Sequence, residues 1–296
     1  MSFKSGFVAV LGRPNVGKST LINKIIGQKI NIISQKPQTT RSKMKTILTE
    51  EQGQIIFTDT PGIHSPKNEL DEYMLQEAYS SLDGIDLIIF LVDACSPYGS
   101  GDNFIYKQIQ SQDQKILMVM NKIDKVNNKV LIKRKKEYER KTDIEVIPVS
   151  ARTGKNIDFL VDKMFALLPE GPKYYPEDMI TDQIERYLAA EIVREKIFNY
   201  TRDEIPYGTA VLTEEFKERK NGVIYIRANI HVEEKSHKGI IIGKNGKMLK
   251  KIGREARRDI EKLLQEKVYL DLWVKIQQNW RKDEQLLERL GYKKDD

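Results

Sequence analysis

The sequence predicts an α/β domain with a mostly parallel sheet and helices on both faces, followed by a smaller α+β domain. In the first part of the chain, short aliphatic runs alternate with longer amphipathic stretches, as in parallel sheets covered by helices. The proline- and glycine-rich stretch 168–176 interrupts this alternation. Beyond it, one amphipathic helix precedes two strand-like runs, an order that indicates a separate α+β domain.

The predicted elements follow in chain order. In the first domain we expect strands over 7–11, 54–58, 87–92, 116–120 and 145–149. Helices are expected there over 20–27 and 157–168. In the second domain we expect a helix over 181–200, strands over 208–216, 223–232 and 268–276, and a basic helix before the last strand. This order predicts a first domain over 1–171, a linker over 172–180 and a second domain over 181–296.

Length and composition agree with two globular domains. The chain has 296 residues, of which 40% are hydrophobic and 31% charged, which argues against a disordered or membrane-spanning protein. No signal-peptide or transmembrane pattern is visible, so a cytoplasmic location is expected. The single cysteine, Cys95, excludes an intramolecular disulfide framework, and we expect it to be buried with the apolar run beside it. A net charge of +7 fits an anionic partner without identifying one.

A phosphate-binding loop is predicted between the first strand and the first helix. The run Gly12–Ser19 fits the pattern G-x-x-x-x-G-K-[ST], whose glycines let successive backbone N–H groups point at phosphate oxygens. Lys18 can reach the β- and γ-phosphates, and the Ser19 hydroxyl can bind Mg²⁺. The candidate nucleotide contacts of this loop are Gly12, Arg13, Pro14, Asn15, Val16, Gly17, Lys18, Ser19 and Thr20.

Two further segments are expected beside the phosphates. Asp59 ends the second predicted strand and can hold Mg²⁺, while the Gly62 amide can approach the γ-phosphate because glycine has no side chain. Thr40 can complete the magnesium shell, with Thr39 as an alternative and a solvated loop as the simpler interpretation. In the segment that begins at Asp59, the candidate nucleotide contacts are Asp59, Thr60, Pro61 and Gly62. The candidate metal ligands are Ser19, Thr40 and Asp59.

A guanine site is predicted after the fourth and fifth strands. The Asp124 carboxylate, in the run Asn121-Lys122-Ile123-Asp124, can accept hydrogen bonds from guanine N1–H and the N2 amino group. Adenine offers neither donor, so the site would discriminate against ATP. In the run Ser150-Ala151, a backbone N–H can donate to guanine O6.

Catalysis needs a group that orients water. Ile63 follows the run Asp59–Gly62, at the position where related enzymes carry a glutamine, so hydrolysis is expected to use a backbone-held water, another residue or an outside factor. Asn15 lies where related GTPases carry an asparagine that can bind a potassium ion, and this resemblance implies the same source of positive charge here. The candidate catalytic residues are Lys18, Thr40, Gly62 and Asn15.

The positive charge is concentrated in the second domain. The stretch 235–258 holds nine Lys and Arg residues and one Glu, and the rest of the chain is nearly neutral. It contains a G-x-x-G run followed by an amphipathic helix, which together resemble a KH domain that clamps single-stranded nucleic acid. The candidate RNA contacts are Gly243, Lys244, Asn245, Gly246, Lys247, Lys250, Lys251, Arg254 and Arg257.

The motifs resemble those of a known family when taken together. The nucleotide motifs resemble those of translation-factor-class GTPases, and the second domain has the element order of a type II KH domain. A P-loop GTPase domain followed by a type II KH domain, with the runs 38–41, 168–172 and 188–196, is similar to the Era family of bacterial GTPases. The resemblance implies GTP/GDP and Mg²⁺ as ligands, binding to the 3′ end of 16S ribosomal RNA, assistance in 30S subunit assembly and partial membrane association.

Other functions remain open at this point. A membrane-associated signalling GTPase would use the second domain to bind protein or lipid, and an ATPase would not use Asp124 to select guanine. We expect a monomer that binds RNA rather than DNA. We also expect GTP to order the loops around Thr40 and Asp59 and so to change RNA access to the G-x-x-G run.

Overall fold

The computed structural model describes residues 2–34, 36, 39–62, 66–220 and 222–293. They form two compact units. The first contains the described residues of 1–31, 40–65 and 74–182, and the second those of 32–39, 66–73 and 183–296. The predicted boundaries at 171 and 181 remain a prediction, although the division of the main chain after Asp182 lies close to them.

The first unit is built on a six-stranded sheet. Its strands are β1 (Lys4–Leu11), β2 (Met44–Glu50), β3 (Gly53–Asp59), β4 (Leu87–Asp93), β5 (Lys115–Asn121) and β6 (Val146–Pro148). They are ordered β2-β3-β1-β4-β5-β6, and every pairing is parallel except β2 with β3. The predicted mostly parallel sheet is therefore confirmed, and β2 is an edge strand that the sequence analysis did not identify.

Helices cover both faces of this sheet. They are α1 (Lys18–Ile26), α2 (Glu69–Ser80), α3 (Ser100–Ile109), α4 (Asn128–Thr142) and α5 (Ile157–Leu167). Helices α1 and α5 share one apolar core with Val8 and Val10, whereas Ala78 of α2, α3 and Tyr138 of α4 share another with Ala9. Neighbouring residues of β1 therefore face opposite cores, as expected for a strand buried on both sides.

Up to its last strand, the second unit has the predicted order of elements. Helix α6 (Glu185–Tyr200) precedes strands β7 (Thr209–Glu218) and β8 (Ile224–Val232), helices α7 (Lys235–Ile242) and α8 (Lys247–Leu264), strand β9 (Val268–Ile276) and helix α9 (Glu284–Arg289). Strand β8 pairs antiparallel with β7 and parallel with β9. The apolar faces of α6 and α8 pack on this sheet through residues such as Val193, Ile197, Ile252 and Ile260. The α+β prediction is confirmed.

Three local features of the structure differ from the sequence-based predictions. Helix α6 begins at Glu185 rather than at 181, because Thr181 forms an isolated bridge with Thr46 of the edge strand β2. Helix α9 was not predicted. Cys95 is exposed rather than buried, because the buried run ends at Ala94.

Among the described helices, none combines the length and the apolar character needed to cross a membrane.

Candidate nucleotide site and nucleic-acid interface

The phosphate loop connects β1 to α1 in a shape that requires glycine. A Cβ on Gly12 would lie 2.4 Å from the Leu91 carbonyl oxygen, and Gly17 has a φ of +103°. Helix α1 begins at Lys18, so its free N–H groups lie at the end of the loop, where an anion is stabilised. All nine predicted contacts, from Gly12 to Thr20, therefore lie in this loop or in the first turn of α1.

The Lys18 side chain is buried and contacts the backbone of the phosphate loop. Its Nζ donates hydrogen bonds to the carbonyl oxygens of Gly12, at 3.2 Å, and Arg13, at 3.5 Å. Burial lowers the pKa of Lys18 to about 8, and the nearby Asp59 carboxylate opposes this shift. A polyanionic ligand would restore the charged form of this amine.

The three predicted metal ligands converge at the carboxyl end of β3. The Ser19 hydroxyl donates to Asp59 Oδ2 at 2.8 Å, and the Thr40 hydroxyl lies 3.2 Å from Ser19 Oγ and 3.4 Å from Asp59 Oδ2. Within the described part of the chain, the buried Asp59 Oδ1 has no hydrogen-bond partner. Burial raises the pKa of Asp59 above its usual range. A carboxylate and two hydroxyls suit Mg²⁺, and the unsatisfied oxygen is an acceptor that a cation would engage.

The structure distinguishes the two threonines. The Thr39 hydroxyl donates to the Lys36 carbonyl oxygen at 2.8 Å, whereas Thr40 points to Asp59. Asn31 was not predicted as part of this site, yet its Nδ2 donates to Asp59 Oδ2 at 2.6 Å. No motif marks this asparagine, because it is placed by hydrogen bonds with Asn23 of α1.

The residues after β3 lie against the phosphate loop. The Thr60 hydroxyl donates to the Val10 carbonyl oxygen at 2.9 Å, which holds the start of the segment beside β1. A Cβ on Gly62 would lie 2.9 Å from Pro14 Cγ, so glycine permits this approach. Pro61 lies between them and is buried. Ile63, which stands where related enzymes carry a water-orienting glutamine, lies outside the described residues.

The guanine motifs meet at the ends of β5 and β6. Asn121 Nδ2 donates to the Val16 carbonyl oxygen at 3.0 Å, while its Oδ1 accepts from the backbone N–H groups of Lys122 and Ala151. Asp124 Oδ1 accepts from the Ser150 hydroxyl at 2.6 Å. That hydrogen bond lowers the pKa of Asp124, which keeps the carboxylate ionised as a pure acceptor.

Three groups around this site, two side chains and one backbone N–H, make contacts that the motifs alone do not predict. Lys122 Nζ donates to Asp93 Oδ2 at 2.6 Å and to the Asn15 carbonyl oxygen at 2.5 Å, so it braces the phosphate loop. The Arg13 side chain pairs with the buried Asp102 at 2.9 Å. A contact of Arg13 with the nucleotide would therefore come from its backbone. In the run where a backbone N–H was expected to donate to guanine O6, the Ala151 N–H donates to Asn121 Oδ1 at 2.9 Å.

The G-x-x-G run forms a tight connection between α7 and α8. Gly243, Asn245 and Gly246 have φ values of +70°, +55° and +73°. A Cβ on Gly243 would lie 2.7 Å from Met248 Cβ, whereas nothing lies within 4 Å of one on Gly246. The predicted basic residues Lys244, Lys247, Lys250, Lys251, Arg254 and Arg257 are exposed on this connection and on α8.

A groove follows this connection between α8 and β9. Its volume is about 530 Å³, and it is lined by Gly246, Lys250, Arg254, Arg257, Leu272 and Tyr269, among others. Lys251 instead points toward α6, where its Nζ lies 3.9 Å from the centroid of the Tyr200 ring. Tyr269 was not predicted; the residue is 56% exposed, and its ring stacks on that of Tyr225 with centroids 5.9 Å apart.

Comparisons with known proteins agree with this geometry. The family model "50S ribosome-binding GTPase" matches residues 7–122, and the family model "KH domain" matches residues 204–281. The fold and the site thus define a P-loop GTPase joined to a KH domain. Among similar proteins is GTPase Era of Halothermothrix orenii, 60% identical over 293 residues that cover 99% of this chain and 100% of that protein. GTPase Era of Alkaliphilus metalliredigens is 51% identical over 99% of this chain and 100% of that protein.

Two solved structures also match over nearly the whole chain. One is an Aquifex aeolicus Era variant bound to GDP·AlF₄⁻, and the other is Era in complex with MgGDPNP and nucleotides 1506–1542 of 16S ribosomal RNA. Each has a TM-score of 0.95 and 41% sequence identity, and the match covers 98% of this chain and 99% of that chain. This chain belongs to the Era family and is a GTPase. The family expected from its sequence motifs is confirmed.

Proposed function

We propose that this chain is a Mg²⁺-dependent GTP switch that binds single-stranded 16S ribosomal RNA near its 3′ end and assists assembly of the 30S subunit. One observation carries the nucleotide half of the proposal. Ser19 and Thr40 converge on Asp59, whose second oxygen has no partner among the described residues, beside the buried Lys18. These groups would hold Mg²⁺ and the terminal phosphates together.

The chain's own residues would prepare the phosphates for hydrolysis. Loop N–H groups and the Lys18 ammonium would bind the β- and γ-phosphates, and the Gly62 N–H would donate to the γ-phosphate. Bound Mg²⁺ would supply positive charge that stabilises the phosphate oxygens. Asn121 would hold the phosphate loop to the Ser150-Ala151 segment, and Asp124 would select guanine.

Potassium is a further proposed ligand, through Asn15. This residue lies at a positive φ of 65° in the phosphate loop, where its carbonyl oxygen accepts from Lys122. If potassium supplies charge there, GTP should be hydrolysed faster in KCl than in NaCl at equal ionic strength. Equal rates in the two salts would contradict this assignment.

The RNA half of the proposal rests on the groove beside the G-x-x-G run. The exposed Lys250, Arg254 and Arg257 line it for phosphate contacts, and Tyr269, also among its lining residues, would stack on a base. The complex of Era with nucleotides 1506–1542 of 16S ribosomal RNA supports the choice of RNA target.

The location and domain limits of the protein are also proposals. We propose a cytoplasmic protein whose basic helix α8 makes peripheral contact with anionic lipid at the inner face of the membrane. Co-sedimentation with anionic vesicles, weakened by added RNA, would support a shared basic surface. We retain the limits 1–171 and 181–296 for the two domains, with the linker 172–180, and limited proteolysis should cut within that linker.

The magnesium site is tested by two neighbouring substitutions. Thr40→Ala removes a hydroxyl that points to Asp59, whereas Thr39→Ala removes one that donates to Lys36. Thr40→Ala should raise the Mg²⁺ concentration that half-saturates GTP hydrolysis, and Thr39→Ala should leave it nearly unchanged. Equal effects of the two substitutions would contradict the assignment of Thr40.

A further inference from the structure

Asn31 and Thr40, the two ends of one chain segment, both contact the Asp59 carboxylate. Asn31 Nδ2 lies 2.6 Å from Asp59 Oδ2, and Thr40 Oγ1 lies 3.4 Å from the same oxygen. Between these two residues, the described residues of 32–39 belong to the second compact unit rather than to the first. The peptide bond between Thr39 and Thr40 thus joins a segment of the second unit to a residue of the first.

Helix α6 holds this segment through three groups. The Ile33 N–H donates to Glu195 Oε2 at 3.4 Å. Lys36 Nζ donates to the carbonyl oxygens of Phe198 and Thr201 at the C-terminal end of α6, where a cation is favoured. The Arg194 guanidinium donates to the carbonyl oxygen of Thr39.

Arg194 is unusual because it is charged and fully buried, with 0% exposure. Burial alone would lower its pKa, but the Glu191 carboxylate outweighs burial and raises the pKa above its ordinary value. Both Glu191 oxygens accept from Arg194, whose Nε donates at 2.7 Å. The guanidinium also lies 5.3 Å from the centroid of the Phe198 ring. A buried charge is costly unless it is paired and hydrogen-bonded. The Arg194 guanidinium is paired with Glu191 and also donates to the Thr39 carbonyl.

We propose that Arg194 is a positioning residue for Thr40, the proposed magnesium ligand, and acts through the Thr39 carbonyl. By holding the Thr39 carbonyl, it fixes the peptide that precedes Thr40 and so the direction of the Thr40 hydroxyl. This inference rests on the proposed role of Thr40. It also places a determinant of GTP hydrolysis on α6, which precedes the first strand of the KH sheet.

A purely structural role for Arg194 predicts a different result. In that case, loss of the guanidinium would weaken the second unit and reduce all activities together. A positioning role changes the use of Mg²⁺ with GTP and spares GDP, because GDP lacks the γ-phosphate beside which Thr40 is expected to act. Mg²⁺ dependence and GDP affinity therefore distinguish the two roles.

The test uses the full chain with Arg194→Lys. Lysine keeps the charge but lacks the planar fork that reaches Glu191 and Thr39 together. The Mg²⁺ concentration that half-saturates GTP hydrolysis should rise about tenfold, as expected for loss of one charge-assisted hydrogen bond. GDP affinity should change less than twofold. The control is Arg186→Lys, the same substitution at an exposed position of α6, which should alter neither value.

A double-mutant cycle makes the test specific. Once Thr40→Ala has removed the hydroxyl, Arg194→Lys should add no further Mg²⁺ requirement. Additive effects, or an unchanged requirement in the Arg194→Lys single variant, would overturn the proposal. If thermal melting shows that Arg194→Lys does not fold, the same Mg²⁺ titration is made with Lys36→Met, since Lys36 is half-buried and holds the same segment. An unchanged Mg²⁺ requirement in Lys36→Met would then overturn the proposal. A wild-type chain without Mg²⁺-dependent hydrolysis would instead refute the proposed function.

Discussion

The Asp124→Asn substitution tests guanine selection with little effect on folding. Asparagine keeps one oxygen that can accept from the Ser150 hydroxyl, now 2.6 Å from Asp124 Oδ1. It loses the ion pair between Asp124 Oδ2 and Arg152, whose side chain is 70% exposed. Such an exposed pair contributes at most about 1 kcal/mol to the free energy of unfolding. The melting temperature should therefore fall by only a few degrees, roughly as expected for a change of that size.

The effect on nucleotide affinity should be much larger. A carboxylate can accept from guanine N1–H and the N2 amino group, and each hydrogen bond to a charged group contributes about 1.5–3 kcal/mol. Asparagine offers an NH₂ donor in place of one acceptor, so both bonds are weakened or lost. GTP affinity should fall by roughly 10²- to 10⁴-fold, since about 1.4 kcal/mol corresponds to a factor of ten. Xanthine carries an oxygen where guanine carries the amino group, so the variant should bind xanthine nucleotides more tightly than the wild type does.

Displacement of a fluorescent GDP analogue by GTP and by XTP measures both changes in one assay. Asp158→Asn, the same substitution at an exposed position of α5, is the matched control and should bind like the wild type. If Asp124→Asn prefers GTP over XTP as strongly as the wild type does, Asp124 does not select guanine and the reasoning is refuted.

The remaining predictions concern pH, charge and coupling. The Lys18 pKa is about 8 in the free protein, and bound phosphates would raise it. The affinity for GTP without Mg²⁺ should therefore be constant below about pH 7 and fall up to tenfold per pH unit above 8. Calorimetry that finds constant affinity from pH 6.5 to 9 would contradict this prediction. Lys244→Glu with Lys247→Glu should abolish binding of a 16S 3′-end oligonucleotide in an anisotropy assay and leave GTP binding intact, whereas Lys133→Glu with Lys136→Glu on α4 should spare both. RNA affinity should differ between the GTP-analogue and GDP states, and identical affinities would refute coupling.

Much of the site could be predicted because its residues follow buried strands in motifs with fixed chemistry. Strand β3 ends at Asp59 and β5 ends at Asn121, so the parallel sheet brings their motifs to one edge. Asn31 could not be predicted in this way. It reaches Asp59 only because Asn23 of α1 accepts hydrogen bonds from the backbone of residues 30 and 31. Such an arrangement leaves no local pattern in the sequence.

Several elements of the fold escaped prediction for other physical reasons. Strand β2 carries Lys45, Thr49 and Glu50 at an edge, where partial exposure weakens the apolar pattern that marks buried strands. The C-terminal part of the second unit is organised by Trp280, which is fully buried and donates from Nε1 to the Gly208 carbonyl oxygen at 3.0 Å. A single buried indole, 72 residues from its partner, gives no periodic signal.

The central claim is that a GTP switch and a located RNA-binding groove occur in one chain. Cross-linking of the full-length protein to RNA in cells, followed by sequencing of the bound RNA, tests it most directly. Cross-links should concentrate at the 3′ end of 16S ribosomal RNA and disappear in the variant with Lys244→Glu and Lys247→Glu. Cross-links spread evenly over cellular RNA, or unchanged by the two substitutions, would contradict the account.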